Sequence, residues 1–222
     1  MKVREVRKAG RAKASAASRS AEAPDARENI IEAATAEIAE KGLEGARIDE
    51  IAERTHTSKR MIYYYFGSKV GLYTAVLERC YAGIREVESV PDLETMDPVS
   101  ALRTVVEVNF DHHIQNPDFV RIVMSENIAK GVHIAELESV RTRNQSVVVM
   151  LGALLERGVK AKVFRSDIDP VSLHMSISAL CFYNVSNRYT FSQIFQRDMV
   201  SPSAVARRRA TVVDMILRWC AR

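Results

Sequence analysis

The spacing of apolar residues along the chain predicts helices and no convincing strand. After Pro24, isoleucines and alanines recur every three or four positions until Lys41-Gly42, which is typical of an amphipathic helix. The polar side of this first helix is expected to carry glutamates, which would repel phosphate, so we expect it to support its neighbours rather than to contact nucleic acid. The glutamates expected on this polar side are Glu28, Glu32, Glu37 and Glu40.

Two short helices follow, and the connection between them is short and polar. The first is expected from about Ile48 to Arg54 and the second from Lys59 to Phe66, with Ser58 as a favourable N-cap. Thr55-His56-Thr57 separates the two, and Gly67-Ser68 separates the second from a long fourth helix. Two short helices joined in this way are typical of a helix-turn-helix, whose second helix enters the major groove of DNA.

The remainder of the chain is predicted as longer helices divided by short polar breaks. Residues 91–97 are expected to form a linker and residues 158–168 a loop, whereas the pattern of residues 189–200 is the least regular. The predicted helices cover 98–115, 117–128, a stretch from after Gly131 to about 157, 170 to about 189, and 202–220. The result is an all-α chain of about nine helices.

Charge is distributed unevenly along the 222 residues. The formal net charge is +4, but residues 1–24 alone contain seven basic and two acidic side chains, in an N-terminal arm that we predict to be disordered. Residues 25–88 contain nine basic and twelve acidic side chains. A nucleic-acid function therefore depends on where charges lie within the helix-turn-helix and not on the total.

Other functional classes are disfavoured. The three cysteines are far apart and odd in number, which argues against a disulfide scaffold or a zinc site and fits a reducing cytoplasm. No apolar run is long enough to cross a bilayer, so no membrane partner is expected. His112 and His113 are adjacent and point about 100° apart on a helix, and His133 with Glu136 supplies only two ligands. No enzyme motif, metal site or cofactor is predicted.

The second short helix carries the residues that best indicate chemistry. Lys59 and Arg60 can reach guanine N7 and O6, and a helix N-terminus at Ser58 favours phosphate. The alternative is an aromatic core stripe, residues 63–66, beside an ordinary solvated basic pair. Four consecutive aromatic residues cannot all be buried on one helix, however, so at least one must meet solvent or a ligand.

The same residues resemble the signature of the tetracycline-repressor (TetR) family. The resemblance rests on Ile51-Ala52, a turn, and the run Ser58-Lys59-Arg60-Met61-Ile62-Tyr63-Tyr64-Tyr65-Phe66-Gly67-Ser68-Lys69, followed by Leu72. Two departures are evident. The turn lacks the family's glycine, so His56 must adopt a positive φ or the turn must change shape. Asp49 stands where a basic residue is common, and Arg47 is the conjectured replacement for that contact.

The resemblance implies a DNA-binding domain at residues 25–72, with its motif at about 48–67, and an effector-binding and dimerisation domain at residues 73–222. It implies a repressor that binds a palindromic operator as a homodimer and is released by a small organic effector. The alternatives are an activator, or an architectural or partner-controlled regulator without an effector. The implied DNA contacts are Arg47, Thr57, Ser58, Lys59, Arg60, Tyr63, Tyr64 and Lys69, and the implied packing residues are Met61, Ile62, Tyr65 and Phe66.

In this family the last two helices form the dimer and the larger domain encloses the effector. We expect the apolar faces of the last two long helices to build a four-helix bundle between subunits, the alternative being that they form intramolecular core. Their residues include Leu173, Ile177, Leu180 and Phe182, then Val205, Val212, Val213, Ile216, Leu217 and Cys220. Candidate effector contacts combine apolar and hydrogen-bonding groups: Asn109, Phe110, His113, Met124, Asn127, Arg143, Met150, Phe182 and Asn184.

Overall fold

The computed structural model describes residues 6–88 and 92–222, with side chains over 26–84 and 92–222. Within these residues it contains ten α-helices, one short 3₁₀ turn and no strand beyond an isolated antiparallel bridge between Phe164 and Ala221. The all-α prediction is confirmed. The helices are α1 (Val6–Gly45), α2 (Ile48–Arg54), α3 (Lys59–Phe66), α4 (Lys69–Glu88), α5 (Pro98–Gln115), α6 (Pro117–Ile128), α7 (Glu138–Lys160), α8 (Pro170–Ser186), α9 (Arg188–Phe195) and α10 (Pro202–Cys220).

Helix α1 begins nearer to the N-terminus than expected. Residues 6–24, which were expected to be disordered, are helical, and residues 1–5 of the expected arm lie outside the described residues. The segment is rich in alanine, arginine and lysine, which are good helix formers, and this composition outweighs the backbone hydrogen bond that Pro24 removes. Gly42, with φ 71 and ψ 170, interrupts the helical geometry close to the expected end.

The chain divides into two compact units, Met1–Val76 and Leu77–Arg222. In the first unit α1 packs against α2, and α2 packs against α3. Each of these helices buries one apolar stripe, as their periodicity predicts. The buried apolar residues of these stripes are Ile30, Ile31, Ala34 and Ile38 of α1, Ile48, Ile51 and Ala52 of α2, and Ile62 of α3.

In the second unit α5 and α8 pack against each other and against α6, α7 and α10. Their common core includes Phe110 of α5, Leu151 of α7, Leu173 and Ile177 of α8, and residues 212, 213, 216 and 220 of α10. The assignment of these α8 and α10 residues to the dimer interface is therefore wrong. They form intramolecular core, because α8 is apolar on several sides and uses one of them within its own chain.

Two local features of the second unit differ from the pattern-based prediction. The irregular segment contains α9, which ends where Gln196 adopts φ 49. Helix α7 continues to Lys160, and the chain then turns so that Phe164 lies over Gly158, whose missing side chain makes the close approach possible. No helix in the described part of the chain is long and apolar enough to cross a membrane.

Candidate nucleic-acid interface

The turn between α2 and α3 is stabilised by local hydrogen bonds. The buried Thr55 hydroxyl donates to the Ile51 carbonyl at 2.8 Å, and the Thr57 amide donates to the Ala52 carbonyl at 3.0 Å. His56 has φ 50, so it adopts the left-handed conformation that the family's glycine would otherwise take at this turn. The connection is thus short and fixed, as a helix-turn-helix requires.

The start of α3 and its one buried residue determine which side chains face outward. Ser58 has extended backbone angles, and its Oγ accepts a hydrogen bond from the Met61 amide at 3.3 Å, which makes it the predicted N-cap. Ile62 is 1% exposed, whereas Tyr63 is 46% and Tyr64 78% exposed. Ser58 and the two basic residues after it are also exposed. Helix α3 therefore presents a hydroxyl, two cations and two phenols on its outer side.

The other expected packing residues of α3 are only partly buried. Tyr65 and Phe66 are half-buried, and the Arg27 guanidinium lies 5.3 Å from the centre of the Phe66 ring. Met61 is 37% exposed, so it packs less fully than the resemblance implies. It precedes Ile62 by about 100° of helical rotation and falls outside the narrow stripe that faces α2.

The two basic residues of α3 differ in their surroundings. Lys59 Nζ lies 2.5 Å from Asp49 Oδ1, an ion pair in which both side chains are about half exposed. Within the described ranges Arg60 forms no ion pair, so its guanidinium keeps all its donors for a partner. Asp49, the acidic residue that departs from the family pattern, thus restrains Lys59 and leaves Arg60 unrestrained.

The two flanking cations contact other parts of the same unit. Lys69 Nζ donates to the Glu44 carbonyl at 2.9 Å, at the end of α1. The Arg47 side chain is exposed, with its Nε 4.0 Å from Glu50 Oε1. Lys69 is thus held against the C-terminal end of α1, whereas Arg47 stands exposed at the N-terminus of α2. Neither contact tests the DNA-binding role implied for them.

Glu37 is a residue that sequence reasoning misplaced on the exposed side of α1. Its side chain is completely buried, and it lies 2.9 Å from Lys41 Nζ and 3.2 Å from Arg54 Nη2. Its Oε1 also accepts from the Arg47 amide at 3.3 Å. The carboxylate therefore ties α1 to α2. Its position, three residues after Ala34 on the apolar stripe, was the signal that could have revealed it.

The candidate effector residues divide into buried and exposed groups. Asn109, Phe110, His113 and Asn184 are buried, and His113 Nδ1 lies 2.7 Å from the Asn109 carbonyl. Met150 and Phe182 are half-buried. Met124, Asn127 and Arg143 are exposed and are not brought into this buried group, because they lie on the outer sides of α6 and α7. Residue types gave these three as candidates, but helix orientation turns them away.

His133 pairs with Glu126, whereas the sequence offered Glu136 as the second metal ligand. Its ring Nδ1 lies 3.1 Å from Glu126 Oε2, and the buried Glu126 also accepts from the amides of His133 and Ile134 at 2.8 and 3.0 Å. Glu126 thus holds the short 3₁₀ turn. No group of three or more metal-ligating side chains is present among residues whose side chains are described.

Two family models match the chain over both units. The model described as bacterial regulatory proteins of the tetR family matches residues 30–76, and the tetracyclin repressor-like C-terminal domain matches residues 98–216. The first match contains α2, the turn and α3.

Named relatives and a solved structure agree with these matches. The HTH-type transcriptional repressor NicS of Pseudomonas putida is 34% identical over 200 residues, 90% of this chain and 94% of NicS. The HTH-type transcriptional repressor SCO4008 of Streptomyces coelicolor is 35% identical over 146 residues, 64% of this chain and 70% of SCO4008. The crystal structure of the regulator SCO4942 of Streptomyces coelicolor superposes with a TM-score of 0.67 at 26% identity, covering 87% of this chain and 97% of SCO4942.

Proposed function

The chain belongs to the TetR family of bacterial transcriptional regulators, and on that premise we propose that it represses transcription as a homodimer bound to a palindromic operator and is released by a small organic effector. It is a DNA-binding regulator and not an enzyme. Repression is favoured because NicS and SCO4008 are both named repressors. The site of action is the cytoplasm, where bacterial DNA lies.

The observation that carries the proposal is the outer side of α3. Arg60 has no ion pair within the described residues and can donate two parallel hydrogen bonds to guanine O6 and N7. Tyr63 and Tyr64 place phenol hydroxyls on the same helix, where they suit phosphate oxygens. Ser58 and Thr57 lie at the N-terminus of α3, whose amides favour an anion. The arrangement provides base contacts and backbone contacts from one short helix.

The proposed dimer uses the side of α8 that its own core leaves exposed. Val171, Met175, Ala179 and Tyr183 follow one another at four-residue intervals and are all exposed. A ridge with this spacing is a common packing surface between helices. A two-fold dimer brings one ridge against its copy and presents two α3 helices to half-sites about one DNA turn apart.

Effector release follows from a difference in affinity between two states of the dimer. An effector that binds better to the state with the wrong α3 spacing shifts the population away from DNA. An effector with equal affinity for both states would leave operator binding unchanged.

The proposal is tested with DNA from the region upstream of the protein's own gene. Arg60→Ala is compared with the wild type by fluorescence anisotropy at fixed salt, with Arg103→Ala, an exposed arginine on α5, as the matched loss of charge. We expect Arg60→Ala to lose about tenfold or more in affinity, because a bidentate base contact contributes about 1–3 kcal/mol.

Two results would contradict the proposal. Arg60→Ala binding as tightly as Arg103→Ala would remove the base contact on which the proposal rests. Light scattering that gives the mass of one chain at micromolar concentration would remove the dimer, and with it the paired half-sites.

A further inference from the structure

A cavity of about 310 Å³ lies in the second unit where the end of α8 meets α9, the following loop and α10. Tyr183 and Asn184 of α8, Phe191 of α9 and Arg208 of α10 line it, together with Arg197 and Asp198 of the loop. Small-molecule sites have volumes of about 300–1,000 Å³, so this one suits a compact ligand with a single ring.

Asn184 is the most unusual member of this lining. Its side chain is 3% exposed, and among the described residues its Nδ2 has no hydrogen-bond partner. Buried amide groups almost always have a hydrogen-bond partner, because a buried amide without one has lost its hydrogen bonds to water and gained none in return. A ligand atom that accepts a hydrogen bond would satisfy this group.

The charged groups of the cavity favour an anion. Neither Arg197 nor Arg208 forms an ion pair within the part of the chain that the structure describes, and Arg208 is half-buried. Asp198 is already engaged, since its Oδ1 accepts from the Val200 and Ser201 amides at 2.9 and 3.0 Å. Two guanidiniums and one carboxylate leave an excess of one positive charge, which matches a monoanion. A guanidinium binds a carboxylate with two parallel hydrogen bonds.

The apolar part of the cavity is aromatic. The Tyr183 and Phe191 rings meet edge to face, with centroids 6.3 Å apart and planes at 87°. Phe191 also packs against Phe195, with a centroid distance of 4.5 Å. Flat rings favour further flat rings in offset or edge-to-face contact.

We propose that this cavity binds a small organic monoanion, a carboxylate on a flat aromatic ring. The carboxylate accepts hydrogen bonds from Arg208 and from Asn184 Nδ2, while the ring packs against Phe191. The inference rests on the proposed function, since it gives the chemical class of the effector. Tyr183 belongs both to the cavity and to the exposed ridge of α8, so a bound ring contacts a side chain of the proposed dimer surface.

The experiment uses benzoate as the probe and benzamide as its neutral isostere. Each is titrated against the full chain without DNA by ligand-observed NMR. A ligand of this size that makes these contacts should bind with a Kd of about 1 mM. Benzamide should bind at least about tenfold more weakly, because it lacks the charge that the arginines recognise.

Three variants identify the site. Arg208→Met and Asn184→Leu should each weaken benzoate binding by about tenfold or more, because each removes one donor to the carboxylate. Arg103→Met is the matched control, since Arg103 is an exposed arginine on α5 that does not line the cavity, and it should bind as the wild type does. Thermal unfolding of every variant shows whether a loss of binding reflects a loss of folding. If Asn184→Leu fails to fold, Arg208→Met alone decides.

Several outcomes would overturn the proposal. One is the absence of benzoate binding up to about 10 mM, since a ligand of this size should bind more tightly than that. The others are equal affinity for benzoate and benzamide, and an affinity of Arg208→Met for benzoate equal to that of the wild type. The titration contains no DNA, so failure of the proposed repressor function leaves it unaffected. If benzoate binds as predicted but saturating benzoate does not change operator affinity, the site stands and its effector role fails.

Discussion

Replacing Asp49 by asparagine is expected to tighten DNA binding. The Asp49 carboxylate holds Lys59 Nζ at 2.5 Å, and the two side chains are 49% and 58% exposed. Breaking an exposed ion pair of this kind costs about 0.2–1 kcal/mol. The carboxylate also repels a phosphate contacted by Lys59, by about 0.6 kcal/mol at about 7 Å in water. Together these effects predict a gain of about 0.8–1.6 kcal/mol per half-site, or about four- to fifteenfold in affinity.

The measurement is a fluorescence anisotropy titration of the operator at several salt concentrations. Asp49→Asn frees one more cation for phosphate, so its plot of log affinity against log salt should steepen by about 0.9 for each half-site. Glu40→Gln removes the same charge from an exposed position on α1 and should stay within about twofold of the wild type, since solvent and salt screen distant charges. Binding by Asp49→Asn that is equal to or weaker than wild type would refute the competition between Asp49 and DNA for Lys59.

Three further predictions concern stability. In Gly158→Ala the new Cβ would stand 1.9 Å from Phe164 Cδ2, so urea unfolding should show a loss of about 1–3 kcal/mol; Gly152→Ala, whose nearest neighbour is at 3.5 Å, should show none, and equal curves would contradict the contact. Glu37→Ala leaves Lys41 and Arg54 without their buried partner and should lower the free energy of unfolding by about 2–4 kcal/mol. The loss is smaller than for a fully buried pair because both cations are partly exposed. An unchanged unfolding midpoint would contradict the role of Glu37. Hydrogen bonds from Ser201 and Val200 lower the pKa of Asp198 to about 2, so its stabilising contribution is present above pH 4 and lost as the pH falls towards 2; Asp198→Asn should lack this acid step in thermal unfolding.

The helix-turn-helix could be predicted closely because its determinants are local. Ser58 caps α3 through a hydrogen bond to a residue three positions away, and Gly67, with φ 72, ends the same helix. Apolar spacing alone marks Ile62 as the buried side of α3. Each of these decisions depends on residues within one or two helical turns, so the sequence contains them directly.

Long-range packing could not be predicted in the same way. Helix α8 carries two apolar stripes, one through Leu173 and Ile177 and one through Val171 and Met175. Which stripe becomes core depends on α5 and α10, and the structure selects the first. Periodicity identifies an apolar side of a helix but not the element that covers it.

Partners distant in sequence were missed for a related reason. Lys59 and Asp49 are ten positions apart, and Lys69 donates to a carbonyl 25 positions away. Such pairs depend on how α1, α2 and α3 pack, which residue types alone do not specify. The same holds for Asn184. Its residue type marks it as a hydrogen-bonding candidate, but its burial and its place in the cavity can be known only from the fold.

In the proposed complex, paired α3 helices read DNA through Arg60. Selection of bound sequences from a random duplex pool tests this reading. The wild-type chain should select an inverted repeat with half-sites about one helical turn apart, and Arg60→Ala should lose the preference for one guanine in each half-site. Selected sequences without an inverted repeat, or the same base preferences in Arg60→Ala as in the wild type, would contradict it.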